Sequence, residues 1–178
     1  MPMEALSGLN MGDGGLSADM NSLIIKERLA LAHQNLPNAI GMNNHMGSKL
    51  TQLTRPMQTT MEYLTYHGMF FLDSRTTRFS KAQKVAINYG VPSLRRHVFL
   101  DHIRETRHID FQFRRLVRKA QKTGFAVGIA HPHTVTMDYL VVALKALKQE
   151  GVSLIALSEK IKPKSQQWAW NQPGQLSR

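Results

Sequence analysis

The sequence predicts an α/β fold, and three observations lead to that prediction. Short apolar runs alternate with longer segments of helical periodicity. The runs are mostly continuous in their apolar character, which is typical of parallel strands that helices cover on both faces. Polar residues follow each run at nearly equal intervals. Alternating strands and helices imply parallel strands with right-handed crossovers, and both a closed β/α barrel and an open doubly wound sheet fit this pattern.

Five apolar runs are predicted to be buried strands. Several of them follow turn signals such as Pro37-Asn38 and Glu150-Gly151. The predicted strands are Ala39–Met42, Met69–Leu72, His97–Leu100, Ala126–Ala130 and Ser153–Leu157.

Helices are predicted before and between these strands. Asp19–Asn35 is the first, and Leu53–His67 is the second, with Pro56 in its first turn, where proline is common. Ser80 and Gln83 have the spacing of a capping box at the start of a third. Two more are predicted because their apolar side chains share one helical face: Ile109, Phe113, Leu116, Val117 and Ala120 in one, and Leu140, Val141, Leu144 and Leu147 in the other.

The composition is that of one globular domain, which we predict over residues 1–161, with a basic tail over 162–178 that is predicted to be disordered. The chain has 178 residues and no cysteine, which excludes disulfides, thiolate metal sites and a cysteine nucleophile. No apolar run approaches the roughly 20 residues of a membrane helix, and residues 1–10 do not resemble a signal peptide.

The net charge of +11 is concentrated in the middle of the chain. The segment from Arg75 to Lys122 contains thirteen Lys and Arg residues but three Asp and Glu residues. Such a segment could attract a polyanion, but solvated helix faces are the simpler explanation. No nucleic-acid-binding motif accompanies the charge, so a nucleic-acid partner ranks last among the readings.

The strongest functional signal is a set of polar residues directly after the predicted strands. Spacings of 28, 28 and 30 residues separate His45, Asp73, Asp101 and His131, about one βα unit each. Because parallel strands open their carboxyl ends onto one face, these groups are predicted to converge in one cleft. The alternative for each aspartate alone is a cap on the next helix or turn. The residues concerned are Asn43, Asn44, His45, Asp73, Ser74, Arg75, Asp101, His102, His131, His133, Ser158 and Glu159.

The pair His131 and His133 flanks Pro132. Alternate residues of an extended backbone face the same side, so two imidazoles at this spacing form a plausible half of a metal site. The remaining histidines (His33, His67, His97, His102 and His108) are interpreted as core or surface residues.

These blocks carry a resemblance to a known family. Residues 43–48 (Asn-Asn-His-Met-Gly-Ser) with Thr51, residues 70–77, residues 98–101 and residues 131–133 resemble the signature blocks of the divergent polysaccharide deacetylase family. Residues 1–4 resemble another of its blocks, and the resemblance extends to about Ile161. It implies an irregular β/α barrel with a polar groove at the strand carboxyl ends.

The resemblance also implies an activity and a cellular compartment. The reaction would be metal-dependent hydrolysis of N-acetyl groups on an amino-sugar polymer such as peptidoglycan or a chitin-like oligosaccharide, in the periplasm or cell envelope. The divalent metal, usually zinc, would polarise the acetyl carbonyl, and side chains would move the protons. The implied metal ligands are His45, His131 and His133, the catalytic residues are Asp73, Asp101 and His131, and the substrate contacts are Asn43, Asn44 and Arg75.

Two departures from the family pattern keep an alternative open. Relatives begin with a strand that carries paired aspartates, and no such block stands before Met1, so we expect a truncated barrel without its first strand or strands. Lys49 stands where the larger deacetylase group has a second histidine, and a protonated lysine cannot ligate a metal. Both departures favour a non-catalytic envelope module that binds glycan or a protein.

Overall fold

The structure, a computed structural model, describes residues 1–161. Its strands and helices largely alternate, as the sequence predicts, and three of its strand pairs are parallel. The strands are β1 Pro2–Met3, β2 Gly41–Asn43, β3 His45–Met46, β4 Phe70–Asp73, β5 Ser93–Arg95, β6 Val98–Phe99 and β7 Gly128–Ile129. The helices are α1 Ser22–Asn35, α2 Thr54–Tyr66, α3 Ala82–Asn88, α4 Thr106–Thr123, α5 Thr134–Ala146 and α6 Leu157–Lys160, with 3₁₀ turns at Leu50–Gln52 and Leu147–Glu150.

The described chain forms two compact units. The first comprises Met1–Leu94 together with Ile161, and the second comprises Arg95–Lys160. The prediction of a single domain over residues 1–161 stays a prediction, and the predicted disorder of 162–178 lies outside the described residues.

The first unit has two small sheets and one apolar core. Strand β1 pairs with β3, and β2, β4 and β5 form a second sheet in the order β2-β4-β5. Helices α1 and α2 pack against one another. The core of this unit includes Met3, Leu16, Ile25, Leu29, Leu50, Met57, Met61, Leu64 and Phe71.

The second unit is built on the parallel pair β6-β7; helix α4 packs against β6, and α5 packs against α4. Helix α4 buries Ile109, Phe113 and Val117, as its periodicity predicts, and ends at Gly124, whose φ of 73° is the left-handed conformation that glycine favours. The core of this unit contains Val98, Leu100, Phe113, Val117 and Leu147.

Four of the five predicted strands are present with shifted boundaries, and the fifth prediction is wrong. Residues 152–156 have no strand assignment, and Leu157–Lys160 is a short helix, so Ser158 and Glu159 do not follow a strand. Leu154 is 73% exposed and Ile155 is 46% exposed. Apolar strands form where neighbouring elements cover them. This run is too exposed for that burial, so its apolar composition does not produce a strand.

Two helix predictions also need correction. The apolar face of α5 that packs on the core carries Tyr139, Leu140 and Ala143, whereas the predicted Val141 is 56% exposed. Helix α5 is apolar around much of its circumference, so its periodicity does not single out one face.

The predicted capping box at Ser80 forms only in part. The Ser80 hydroxyl accepts a hydrogen bond from the Ala82 amide at 3.2 Å. The amide of Gln83 donates to Asp73 Oδ2 at 3.4 Å, so a carboxylate from the preceding strand shares the capping of α3. Tertiary structure supplies a stronger acceptor than the local motif.

Candidate functional site

The carboxyl ends of β2 and β4 lie side by side in the first unit. Their parallel register pairs Asn43 with Leu72, which places the two polar blocks that follow at the same edge. Asn44 is fully buried; its Oδ1 accepts from the Ser74 amide at 2.8 Å, and its Nδ2 donates to the Met46 carbonyl at 2.9 Å. Asn43 Nδ2 donates to Ser74 Oγ at 3.2 Å. The two asparagines therefore tie the strand ends together, and their predicted role as substrate contacts stays a prediction.

Asp73 is fully buried at the end of β4. Its Oδ1 accepts from the Arg75 amide at 2.8 Å, and its Oδ2 accepts from the Ser80 hydroxyl at 2.8 Å and from the Gln83 amide at 3.4 Å. This carboxylate holds the loop between β4 and α3, which matches the capping alternative. Its predicted catalytic role stays a prediction.

Arg75 occupies a turn with a positive φ of 49°, an unusual conformation for a residue other than glycine. Its guanidinium donates to the Ser80 carbonyl at 3.3 Å and to the Arg78 carbonyl at 3.1 Å. These hydrogen bonds hold the conformation of the loop between β4 and α3. The predicted roles of Arg75, binding an anionic or hydroxyl-rich substrate group or pairing with Asp101, stay predictions.

His45 lies on β3, in register with Pro2 of β1, and its side chain is exposed. Gly47 follows with a φ of 87°, and a Cβ there would lie 3.0 Å from Met3 Cβ. A glycine is therefore required for the chain to pass this close to β1. The role of His45 as metal ligand or substrate contact stays a prediction.

An ion pair beside this turn was missed by the sequence analysis. Lys49 Nζ lies 2.5 Å from Glu4 Oε1, and the Ala18 amide donates to Glu4 Oε2 at 2.7 Å. The hydrogen bond from Lys49 and the one from Ala18 lower the pKa of Glu4. The available signal was the position of Glu4, directly after an apolar pair that forms β1.

A cluster of polar side chains lies at the carboxyl ends of β6 and β7 in the second unit. Phe99 is in register with Ile129, so Asp101 and His131 both lie just beyond their strands. Asp101 is 2% exposed. Its Oδ2 accepts from the His131 amide at 2.6 Å and from the Thr136 hydroxyl at 3.1 Å, and its Oδ1 lies 3.1 Å from His131 Nδ1.

The charge state of Asp101 follows from these contacts. Burial raises the pKa of a carboxyl, but the hydrogen bonds from the His131 amide, the His131 ring and Thr136 together bring the pKa of Asp101 below its ordinary value. An ionised Asp101 can only accept hydrogen bonds, so the ring atom that faces it, His131 Nδ1, carries a proton. In a neutral ring, His131 Nε2 is then the nitrogen that carries no proton.

Asp101, His131 and His133 could hold a metal ion together. Each offers one ligand atom, and these atoms lie within 4.8 Å of one another. The rings of His131 and His133 have centroids 5.5 Å apart, and Phe99 contacts His131 edge to face. One carboxylate with two imidazoles is a common donor set of catalytic zinc, whose ligand atoms lie roughly 3.3 Å apart. The donor types match this set, and both histidines are only partly buried, so the residues fit the metal.

The structure thus divides the predicted site residues into two sets. Asn43, Asn44, Asp73 and Arg75 meet at one strand edge of the first unit, and Asp101, His131 and His133 meet in the second. The two predicted imidazole ligands of the second unit lie together with Asp101. That the two sets share one cleft stays a prediction.

A cleft between α4 and α5 was also missed. It has a volume of about 830 Å³, and Phe113, Val142, Ala143 and Leu147 contribute to its apolar lining. At its wall, Tyr139 donates to Asp110 Oδ1 at 2.9 Å, while Arg114 Nε donates to Asp110 Oδ2 at 2.8 Å. The i,i+4 spacing of Asp110 and Arg114 was an available signal for their ion pair, but no motif indicates Tyr139, which comes from the other helix.

We expect Tyr139 to titrate well above the ordinary range of tyrosine. Burial and the hydrogen bond to Asp110 raise its pKa, because both disfavour the phenolate. A tyrosine whose pKa rises on folding contributes stability below its unfolded pKa of about 10, and that contribution is lost as the pH climbs through the folded value. Absorbance at 295 nm during an alkaline titration should show a late tyrosine that disappears in Tyr139→Phe. An unchanged titration in that variant would contradict the assignment.

Comparison with known proteins identifies the family. The family model described as divergent polysaccharide deacetylase matches residues 1–161. The chain belongs to this family. An uncharacterized protein of Haemophilus influenzae is 38% identical over 167 residues, which cover 92% of this chain and 60% of the relative. The uncharacterized protein YibQ of Escherichia coli is 36% identical over 140 residues, which cover 79% of this chain and 44% of the relative.

A solved structure shares the fold. The crystal structure of the uncharacterized protein ATU2773 from Agrobacterium tumefaciens has a TM-score of 0.84, with 21% identity, and the match covers 90% of this chain and 66% of that one. The predicted α/β class is confirmed, and the likeness is consistent with a β/α barrel type. The chain spans about half the length of the curated relatives that it matches. Within residues 1–161, no helix is long and apolar enough to cross a membrane.

Proposed function

We propose that this chain belongs to a metal-dependent hydrolase that removes N-acetyl groups from an amino-sugar polymer outside the cytoplasm. The observation that carries the proposal is the cluster of Asp101, His131 and His133 at the carboxyl ends of β6 and β7. Membership of the divergent polysaccharide deacetylase family supports the reaction class and a carbohydrate substrate such as peptidoglycan or a chitin-like oligosaccharide.

In this proposal His131 and His133 bind a divalent metal, zinc first, through their imidazole nitrogens. When bound, the metal would polarise the acetyl carbonyl and supply hydroxide near neutral pH. Asp101 accepts a hydrogen bond from His131 Nδ1–H and so would leave Nε2 to bind the metal, an arrangement in which an outer carboxylate orients an imidazole ligand. The same cluster also allows a direct bond from Asp101 to the metal.

The remaining predicted residues are assigned by the family resemblance. His45 would be a further ligand or a substrate contact, and Asn43, Asn44 and Arg75 would contact sugar hydroxyls or an anionic group. Asp73 would be a base or an orienting carboxylate. The three hydrogen bonds that Asp73 accepts within its own loop weigh against the first of these two roles.

That engagement of Asp73 favours a second candidate function. A carboxylate held by its own loop is poorly placed to take a proton from water, so a module that binds envelope glycan or protein without catalysis is the alternative. Such a module would bind chitooligosaccharide or peptidoglycan equally well with and without metal and would release no acetate.

The two functions are separated by measuring metal content and acetate release on the same preparation. We expect bound zinc by elemental analysis, and acetate release from chitooligosaccharide or peptidoglycan that a chelator abolishes and added Zn²⁺ restores. His131→Gln and His133→Gln should each lose the metal. His67→Gln is the matched control, because His67 is an exposed histidine of the first unit that contacts Tyr63 and His33. Full acetate release after chelation, or zinc retained by both site variants, would refute the proposal.

A further inference from the structure

Thr136 is a buried polar residue that neither the sequence motifs nor the family match assigns to the site. It lies in the first turn of α5 and is fully buried. Its hydroxyl donates to Asp101 Oδ2 at 3.1 Å, across 35 residues of chain, while its amide donates to the His133 carbonyl at 2.9 Å. The residue therefore connects the carboxylate that ends β6 with the segment that carries both histidines.

The direction of the side-chain bond is settled by chemistry. An ionised carboxylate has no proton to give, so the threonine hydroxyl must be the donor. Asp101 Oδ2 then accepts two donors, the His131 amide and the Thr136 hydroxyl, while Oδ1 lies 3.1 Å from His131 Nδ1. Two donors on one oxygen hold the carboxylate plane against rotation and keep the other oxygen on the imidazole.

We propose that Thr136 is a positioning residue that fixes the tautomer of His131 by orienting Asp101. Loss of its hydroxyl frees the carboxylate to rotate, so the proton of a neutral His131 ring divides between Nδ1 and Nε2. The consequence for metal binding rests on the proposed function, because only an Nε2 without a proton can ligate. The effect on the tautomer does not depend on any activity.

The geometry distinguishes this role from ordinary helix packing. A buried threonine in a helix commonly bonds the carbonyl four residues earlier, as Thr60 does with the Pro56 carbonyl at 2.8 Å. The hydroxyl of Thr136 instead leaves its own helix and reaches a charged acceptor. Thr60 is also fully buried, which makes it the matched control for removal of a buried hydroxyl.

The test compares Thr136→Val, Thr136→Ser and Thr60→Val in the whole chain. Imidazole ¹⁵N shifts at a pH where the rings are neutral report the tautomer, and the His131 signal is identified by its loss in His131→Gln. We expect a mixed tautomer in Thr136→Val, and the wild-type Nδ1–H tautomer in both Thr136→Ser and Thr60→Val. Zn²⁺ titration should show affinity about tenfold weaker in Thr136→Val only.

The outcomes separate this inference from the proposed function. If wild-type protein releases no acetate and binds no Zn²⁺, the proposed function fails while the tautomer comparison still decides the role of Thr136. A wild-type tautomer in Thr136→Val would overturn the inference, as would equal changes in Thr136→Val and Thr60→Val. If Thr136→Val does not fold, Thr136→Ala with the same readouts replaces it, and restoration by Thr136→Ser remains the deciding result.

Discussion

Asp101→Asn is expected to weaken Zn²⁺ binding by roughly 10- to 100-fold, the usual effect of losing a carboxylate that orients a metal-bound histidine. The side chain is buried and accepts bonds from the His131 amide, the His131 ring and Thr136. An asparagine amide has one acceptor oxygen where the carboxylate has two. Its nitrogen must therefore lie against one of these donors, which either breaks a hydrogen bond or forces the His131 ring to rotate. Calorimetric titration with Zn²⁺ at constant pH measures the change.

Asp110→Asn is the matched control for this prediction. Asp110 is an aspartate of the same unit that is also hydrogen-bonded, but its partners are Arg114 and Tyr139 rather than a histidine. Its replacement should leave Zn²⁺ affinity within about twofold of wild type, roughly 0.4 kcal/mol. Equal weakening in both variants would point to a general loss of folding in the second unit. Wild-type affinity in Asp101→Asn would remove Asp101 from the metal site.

Asp73→Ala is expected to lower the free energy of unfolding by roughly 3 kcal/mol, because it leaves buried or half-buried donors without an acceptor. The donors are the Arg75 amide, the Ser80 hydroxyl and the Gln83 amide. The loop between β4 and α3 loses its central acceptor, while the cluster in the second unit is untouched. Denaturant unfolding followed by circular dichroism measures the loss, and Zn²⁺ affinity should persist below the transition.

Ser80→Ala provides the graded comparison. It removes one donor to Asp73 and the acceptor for the Ala82 amide, so a loss of about 1 kcal/mol is expected. A wild-type unfolding curve for Asp73→Ala would show that the loop does not depend on this carboxylate. That result would reopen the assignment of Asp73 as a catalytic base.

Much of the fold follows from patterns that are local in sequence. Helix α4 buries Ile109, Phe113 and Val117 because these positions share one face, and α2 begins close to Thr54 as Pro56 indicates. Four apolar runs become strands because each is short, apolar and bounded by turn residues. The family blocks depend on the same short motifs, which is why the resemblance was visible in the sequence and the family match covers residues 1–161.

Other features depend on neighbours that are distant in sequence. The run Ser153–Leu157 has the composition of a strand, yet Leu154 and Ile155 are largely exposed and no strand forms there in the described chain. The face of α5 that meets the core also differs from the predicted one, because a helix that is apolar on several sides leaves the choice to whatever packs against it.

The α/β class, the family and the approximate positions of the polar groups after the first four predicted strands could be predicted from the sequence alone. The contacts of those groups depend on the folded chain: Asp73 is held by its own loop, while Asp101 is held by His131 and Thr136. The difference lies in the sequence separation over which each interaction acts. Periodicity and turn chemistry act within a few residues of the chain, whereas a hydrogen bond across 30 or 35 residues forms only once β6 and β7 have paired and α5 has packed beside them.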